Sequence, residues 1–321
     1  MPERRDASMI SAINNHKNYR KKNILRYLRH HYELYLFLLP CITFYIIFRY
    51  VPIYGAQIAF KDYRVLRGIW GSSWIGLDNF RRFFNSPEFF RVIRNTLAIS
   101  LYQLSIGFPS PIIFALILNQ VVIKRLKRAI QTVTYMPYFI STVVLVSMLF
   151  TMLAPKTGVI NHLLAAIGQN RVFFMGEAAL FPSIFAWSGI WQFTGWNSII
   201  YLAALSGINP ELYESAVVDG ANKFQKIIYI DIPGLLPTIA IMFIISCGQV
   251  MTVGYEKAYL MQNMLNLEWS EVISTFVYKR GLLQGEFGYA TAAGLFEAFI
   301  NFSMVVFVNY VSNRLTKSSL W

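Results

Sequence analysis

The chain has 321 residues, of which 55% are hydrophobic and only 14% are charged, and its formal net charge is +13. This composition excludes an intrinsically disordered chain and is too apolar for a typical soluble domain. The positive charge would suit nucleic acid, but the basic residues cluster beside apolar runs. Anionic lipid headgroups and membrane orientation account for that clustering more simply.

Four uncharged runs predict membrane-spanning helices, at 95–123, 129–155, 178–210 and 232–255. Each run exceeds the roughly 20 apolar residues that cross a bilayer as a helix. Only helices and closed barrels satisfy their backbone in lipid, and these runs lack the alternation of a barrel strand. The predicted fold class is therefore all-α and polytopic.

The chain begins with a basic tail at 1–33, followed by an apolar run at 34–54. We interpret the tail as a cytoplasmic topology anchor, with a regulatory or lipid-binding tail as the alternative. The apolar run contains Pro40 and, near its outer end, Arg49. It is long for a signal peptide and no small-residue cleavage site follows it, which predicts a retained signal anchor as the first span.

The loop at 55–91 is rich in aromatic residues and holds six basic residues. These charges run against a strict positive-inside count. Three interpretations stay open: a docking surface for an acidic partner, attraction of an acidic substrate, or an ordinary solvated loop. The basic residues are Lys61, Arg64, Arg67, Arg81, Arg82 and Arg91.

The remaining spans follow from the apolar runs and the charges between them. The basic loop at 124–128 marks the inside, and the loop at 154–178 is then outside. Gly107, Pro109 and Pro111 are expected to kink the second span. The predicted spans after the first are 92–122, 129–153, 180–205, 236–255 and 288–310.

A polar segment at 206–235 separates the fourth and fifth spans and is predicted to form a short helix–turn–helix. Asn209 and Pro210 form a helix start, because the first supplies a capping oxygen and the second needs no amide partner. Glu211 suits the positive end of that helix. Gly220 can take the positive φ that ends one helix and lets a second begin at an angle.

The first helix of this segment is predicted to meet another surface. Ala216 and Gly220 are small and four residues apart, so this face can approach a partner closely. An apolar ridge flanks them, formed by Leu212, Tyr213 and Val217.

The same segment carries a spaced pattern: Glu214-Ser215-Ala216, three residues, Gly220, nine residues, then Ile230-Asp231-Ile232-Pro233. It resembles, at full spacing, the cytoplasmic signature of the membrane subunits of binding-protein-dependent ABC importers. That signature is Glu-Ala-Ala, three residues, Gly, nine residues, Ile-x-Leu-Pro. Ser215 stands for Ala and Ile232 for Leu, and both changes are mild. Gly76-Leu77-Asp78-Asn79-Phe80 and Asn95-Thr96-Leu97 also resemble sugar-importer permeases.

The resemblance implies the ABC type I importer permease fold, with about six spans and both termini inside. The transmembrane domain is then 34–312, between cytoplasmic tails at 1–33 and 313–321, and the loop at 206–235 is the cytoplasmic coupling-helix loop. The residues expected to couple to an ATPase are Leu212, Tyr213, Glu214, Ala216, Val217 and Gly220, with Glu214 making a polar or charged contact.

The resemblance also implies partners. These are a second homologous permease subunit, two cytoplasmic ATPase subunits, an extracytoplasmic solute-binding protein, a carbohydrate substrate and membrane lipid. No Gly-x-x-x-x-Gly-Lys-Ser/Thr phosphate loop occurs, so ATP and Mg are expected in the ATPase subunits and no cofactor or metal in this chain. Nucleic acid is not expected as a partner, and the chain is predicted to be a pore subunit rather than an enzyme.

Polar and aromatic residues at mid-membrane depth are costly unless they face a cavity or another helix. Sugars bind through aromatic faces and side-chain amides, so these residues are candidates for a substrate path. Core packing and inter-helix hydrogen bonds are the alternative for each. The candidates are Trp191, Gln192, Trp196, Asn197, Gln249, Thr252, Tyr255 and Glu297.

Two of these candidates carry further hypotheses. Tyr255, with Glu256, lies at the outer end of the fifth span and is a candidate gate residue. Glu297 has three open interpretations: pairing with Arg49 or Arg94, lining the pathway, or meeting the partner subunit.

The function predicted is ATP-driven import of a carbohydrate, in particular an oligosaccharide. The basic loop at 55–91 adds an acidic, uronate-type saccharide to the candidates. The alternative is an ion-coupled secondary transporter, which should show internal repeats and broken helices with ion sites. No clear repeat is present, and Glu297 is the only acid well inside a predicted span. A membrane enzyme ranks third because no catalytic set converges.

Overall fold

The computed structural model describes residues 30–316, which form helices and connecting loops without a β-strand. The chain divides into two compact units, 1–57 and 58–321. Most of the predicted basic tail, together with the last five residues, lies outside the described part.

The first unit contains helix α1, Tyr32–Tyr45, which continues through a π-helical turn at Ile46–Tyr50. Pro40 lies inside α1 without ending it. In lipid a helix tolerates proline because local π turns and neighbouring groups satisfy the backbone that proline frees.

Four helices within the described residues are long and apolar enough to cross a membrane, which agrees with the predicted all-α polytopic class. They correspond to the predicted first, second, fifth and sixth spans. Their bounds are Tyr32–Phe60, Phe89–Asn119, Lys223–Cys247 and Phe287–Arg314.

The second span is irregular where glycine and proline predicted a kink. Helix α2, Phe89–Tyr102, passes through a π turn, Gln103–Gly107, into helix α3, Pro109–Asn119. Proline has no amide to donate, so the regular ladder cannot continue through Pro109. The hydroxyl of Ser110 donates instead to the carbonyl of Ile106 at 2.6 Å.

The third predicted span, at 129–153, is covered by two helices with a break between them. Helix α4, Lys124–Tyr135, and helix α5, Thr142–Met152, are parts of a pair bent by 100°. The break follows a 3₁₀ turn that contains Pro137. Ser141 then starts the second helix, because its hydroxyl accepts a hydrogen bond from the amide of Val144 at 3.4 Å.

The fourth predicted span is a single helix, α6, Phe181–Ser206. Its 26 residues reach about 39 Å, enough to cross a membrane, but it is less apolar than the four helices above. Helix α6 crosses α4 closely at Gly195, where a Cβ would lie 2.1 Å from the backbone oxygen of Thr134. Glycine is therefore required at this crossing.

The segment after α6 folds as the predicted helix–turn–helix. Helix α7, Pro210–Val218, is followed by α8, Lys223–Lys226, a π turn, Ile227–Asp231, and α9, Ile232–Cys247. Both ends of the fifth span therefore lie earlier in the chain than the predicted bounds of 236–255. Pro233, in the first turn of α9, does not interrupt it, since a first-turn amide needs no helical partner.

The chain leaves the helix after Cys247, and short helices precede the last long one. The amide of Met251 donates to the side-chain oxygen of Asn301 at 2.9 Å. This amide lies beyond the end of the helix and would otherwise lack a hydrogen-bond acceptor. The remaining helices are α10, Tyr255–Met261, α11, Leu267–Ser270, α12, Ile273–Tyr278, and α13, Phe287–Thr316.

The basic residues of the loop at 55–91 form contacts within the chain. Arg82 pairs with Glu286 at 2.6 Å, and Arg91 pairs with the buried Glu271 at 2.5 Å. The ammonium of Lys61 donates to a backbone carbonyl at 2.6 Å. Shorter-range pairs join Arg64 to Asp62 and Arg81 to Asp78. Much of the positive charge in this loop is thus neutralised internally.

Shorter elements complete the described chain. A helix at Asp78–Phe84 packs against α13, with Phe83 in a cluster of aromatic rings, and a helix at Val159–Ala166 follows α5. Short helical turns lie at Val51–Ile53, Tyr54–Phe60, Val65–Arg67, Gly68–Gly71, Ala178–Leu180 and Lys279–Leu283.

Candidate functional site

The helix–turn–helix at 209–226 is built from local signals. The side chain of Asn209 accepts a hydrogen bond from the amide of Glu211 at 3.1 Å, so the predicted cap forms. Gly220 has φ +77°, and the amide of Ala221 donates to the carbonyl of Ala216 at 2.8 Å, which closes helix α7. Asn222 begins helix α8 with a capping box.

This helix pair leaves apolar side chains uncovered. Of the predicted coupling residues, Leu212, Glu214 and Val217 are exposed, as is Gly220, while Tyr213 and Ala216 are partly buried. Val218 is 87% exposed and Phe224 is 69% exposed. Contiguous exposed apolar surface of this kind marks a site for a partner or for lipid.

A buried carboxylate joins the helix pair to the spans. Asp231 is fully buried and accepts two hydrogen bonds, from the hydroxyl of Tyr213 at 2.5 Å and from the amide of Gln120 at 3.0 Å. Burial, then the hydrogen bond and charge of Asp231, raise the pKa of Tyr213. Gln120 follows the end of α3, so Asp231 links helix α7 to the second span.

Sequence reasoning missed Asp231. The spaced pattern includes this residue only as a variable position, although an acid between Ile230 and Ile232 was a usable signal. A buried carboxylate requires partners, which here come from 18 and 111 residues away.

A cavity of about 610 Å³ lies between the second span, α6 and α9. Four predicted substrate-path residues line it: Trp196, Asn197, Gln249 and Thr252. The lining residues carry no charge. Polar lining residues that sequence reasoning missed are Ser100, Gln103, Thr194 and Ser246.

Trp196 is held in place by other aromatic rings at the wall of this cavity. Its ring stacks on Tyr138, with centroids 4.2 Å apart and planes inclined by 7°. Tyr138 belongs to the turn between α4 and α5. The bend in the third span therefore fixes the orientation of this tryptophan.

The other four predicted substrate-path residues lie away from the cavity lining: Trp191, Gln192, Tyr255 and Glu297. Gln192 is buried and donates to the carbonyl of Ile140 at 2.9 Å, which satisfies the backbone at the bend of the third span. Trp191 is half-exposed, and Tyr255 stacks on Tyr278. For Gln192 the structure favours the alternative of an inter-helix hydrogen bond.

Glu297 does not line the cavity itself, but it contacts the lining residue Thr252. It accepts a hydrogen bond from the hydroxyl of Thr252 at 3.0 Å, and Thr252 accepts one from Asn301 at 2.9 Å. Glu297 does not pair with Arg94, whose guanidinium lies 4.2 Å from the ring of Trp269. These contacts fasten the non-helical segment at 248–254 to α13.

A partly buried lysine, Lys257, lies beside the cavity, in helix α10 after the end of the fifth span. The ammonium of Lys257 donates to the carbonyl of Phe185 at 2.9 Å and lies 4.5 Å from the centroid of that ring. Burial lowers its pKa to about 8, so it is largely protonated at neutral pH. Sequence reasoning missed this residue, although it is the first cation after the fifth span.

Comparison with known proteins gives a family. Residues 107–317 match the model described as binding-protein-dependent transport system inner membrane component. Protein LplB of Bacillus subtilis (strain 168) is 37% identical over 323 residues, which cover 100% of this chain and 99% of LplB. The polygalacturonan/rhamnogalacturonan transport system permease protein YteP of the same strain is 36% identical, with 98% of each chain covered.

Solved structures give the same architecture. A chain from a bacterial ABC transporter involved in the import of the acidic polysaccharide alginate has a TM-score of 0.85 and 41% identity. The match covers 92% of this chain and 99% of that chain. The alginate transporter in complex with an alginate pentasaccharide-bound periplasmic protein gives the same values.

Proposed function

The chain belongs to the family of binding-protein-dependent transport system inner membrane components, and from this premise we propose that it is the permease subunit of an ATP-driven oligosaccharide importer. It acts in the cytoplasmic membrane, with both termini on the cytoplasmic side. Relatives that are named as sugar permeases, and the 41% identity to a chain of an alginate importer, support the carbohydrate class.

The observation that carries this proposal is the helix pair at 209–226 together with its link to the spans. An importer of this kind must convert closure of two ATPase subunits into motion of the membrane helices. Helix α7 presents exposed apolar side chains for a groove of an ATPase, and Glu214 supplies a polar contact there. The hydrogen bonds of Asp231 with Tyr213 and Gln120 carry the displacement to the second span.

The cavity supports alternating access. Its lining includes side-chain amides and the indole of Trp196, which are groups that suit sugar hydroxyls and sugar rings. In the proposed assembly a second, homologous permease subunit completes the pore around it. A solute-binding protein delivers the substrate from the far side, as the periplasmic partner of the alginate transporter suggests. ATP and Mg are held by the ATPase subunits.

The test is a matched pair of glycine substitutions in the importer assembled in proteoliposomes. Gly220 and Gly168 both have φ +77° and open space where a Cβ would lie, so Gly220→Asp and Gly168→Asp carry similar backbone strain. We expect Gly220→Asp to abolish uptake and substrate-stimulated ATP hydrolysis, and Gly168→Asp to retain most of both. Equal uptake by the two variants would contradict the coupling role of the helix pair.

A further inference from the structure

The most informative unexplained feature beside the cavity is the space above Gly189. A Cβ at this position would lie 3.5 Å from the amide nitrogen of Gln103 and 3.5 Å from the ammonium of Lys257. A methyl group there would be in ordinary van der Waals contact with both, so glycine leaves a small space that the two nitrogen atoms border. Gly189 and Gln103 both line the cavity, so this space opens into it.

Both nitrogen atoms have unused donor capacity. An ammonium has three donors, and the carbonyl of Phe185 is the one hydrogen-bond acceptor of Lys257 within residues 30–316. Lys257 is partly buried and forms no ion pair in that part of the chain, so its charge is left without a compensating anion there. The side chain of Gln103 has no hydrogen-bond partner among the described residues and lies in the π turn of the second span.

The surroundings favour an anionic ligand over a neutral one. The cavity lining carries no charge, and Glu297 is separated from it by Thr252. Lys257 lies next to the lining residue Gly189, and the ring of Phe185 covers part of its ammonium. A charged hydrogen bond is stronger at such a partly buried position than in water, and a carboxylate is the common partner of an ammonium.

We propose that Lys257 and Gln103 form a carboxylate-binding site beside Gly189 at the cavity wall, which selects uronate-containing oligosaccharides during import. The ammonium of Lys257 binds one carboxylate of the sugar, and the amide of Gln103 donates a second hydrogen bond to it. Gly189 provides the room for the carboxylate to approach both. This inference rests on the proposed function and assigns the substrate class to that same cavity.

The experiment measures uptake of trigalacturonate and of neutral galactotriose by the assembled importer in proteoliposomes, with its solute-binding protein. Lys257→Gln removes the charge, and Lys257→Arg keeps it. Lys156→Gln is the matched control, because Lys156 is an exposed lysine in the loop after α5. Gln103→Glu places a fixed carboxylate beside Lys257 and should compete with that of the sugar.

We expect the wild type to import trigalacturonate, and Lys257→Gln to lower uptake at subsaturating sugar about tenfold, the size of effect typical of a lost charged hydrogen bond. Gln103→Glu should lower it by a similar factor. Lys257→Arg should stay within about threefold of wild type, since it keeps the charge. Lys156→Gln should leave uptake unchanged.

Other outcomes separate this inference from the proposed function. The carboxylate site would be overturned, and the importer left intact, if the wild-type protein imported galactotriose but not trigalacturonate. The same conclusion would follow if Lys257→Gln imported trigalacturonate as fast as the wild type. An equal loss in Lys257→Gln and Lys257→Arg, with normal assembly on size exclusion, would also overturn the carboxylate site, because the charge would then be irrelevant. Import of neither sugar by the wild type would count against the proposed function itself.

Discussion

The hydroxyl of Tyr213 donates a 2.5 Å hydrogen bond to the buried carboxylate of Asp231, across the turn that joins helix α7 to the fifth span. The other carboxylate oxygen accepts from Gln120 at the end of the second span. One acid therefore connects the exposed helix to two membrane helices. A rigid link of this kind lets a displacement of α7 move both.

Tyr213→Phe should uncouple ATP hydrolysis from transport. The variant keeps the ring but removes the donor, so the buried charge of Asp231 retains only Gln120. A hydrogen bond to a charged group contributes about 1.5–3 kcal/mol, enough to weaken the link several-fold or more. We expect sugar transported per ATP hydrolysed to fall at least threefold in proteoliposomes.

Tyr229→Phe is the control for this measurement. Tyr229 lies in the same segment and is 75% exposed, so loss of its hydroxyl should leave the transport ratio unchanged. An identical ratio in Tyr213→Phe and in the wild type would show that the hydrogen bond does not transmit motion.

Gly195→Ala should destabilise the subunit. A Cβ there would lie 2.1 Å from the backbone oxygen of Thr134, and backbone cannot move aside as a flexible side chain can. Overpacking of this kind costs about 1–3 kcal/mol. The expected result is a lower midpoint of thermal unfolding in detergent, followed by fluorescence-detected size exclusion.

Gly294→Ala in α13 is the matched substitution, because nothing lies within 4 Å of a Cβ at that site. Its midpoint should equal or slightly exceed that of the wild type, as alanine is the better helix former. Equal midpoints for Gly195→Ala and the wild type would mean that α6 and α4 do not cross so closely.

Trp196→Ala should weaken sugar uptake more than Trp191→Ala does. Trp196 lines the cavity and stacks on Tyr138, whereas Trp191 lies outside the lining. Aromatic stacking contributes about 0.5–1.5 kcal/mol beyond area burial, so the half-saturating sugar concentration should rise several-fold. The check is concentration-dependent uptake with assembly monitored in parallel. The reverse ranking would place the substrate path elsewhere.

The sequence predicted those features of the fold that depend on a few neighbouring residues. Asn209 and Gly220 define the helix pair because capping and positive φ are properties of single residues. Long apolar runs likewise predicted four of the spans. The bend after Pro137 was missed, although a proline inside an apolar run is a usable sign of a break. The hydrogen bond that Gln192 supplies from another helix could not be read from the run itself.

The candidate sites were predictable only in part. Trp196 and Gln249 were candidates because polar and aromatic groups are conspicuous in apolar spans; both line the cavity, and their place in a substrate path stays a prediction. Asp231 and Lys257 were missed because their significance comes from burial and from partners distant in the chain. Charge content alone treats such residues as ordinary loop charges.

The central claim is that helix α7 is seated in a nucleotide-hydrolysing partner. The direct test is photocrosslinking from Val218→Cys, labelled with a benzophenone, since Val218 is 87% exposed. The background carries Cys41→Ser and Cys247→Ser, which removes both native thiols. In the assembled importer we predict a crosslink to the ATPase subunit whose yield changes when ATP is added. Crosslinks confined to lipid or to the solute-binding protein would contradict the account.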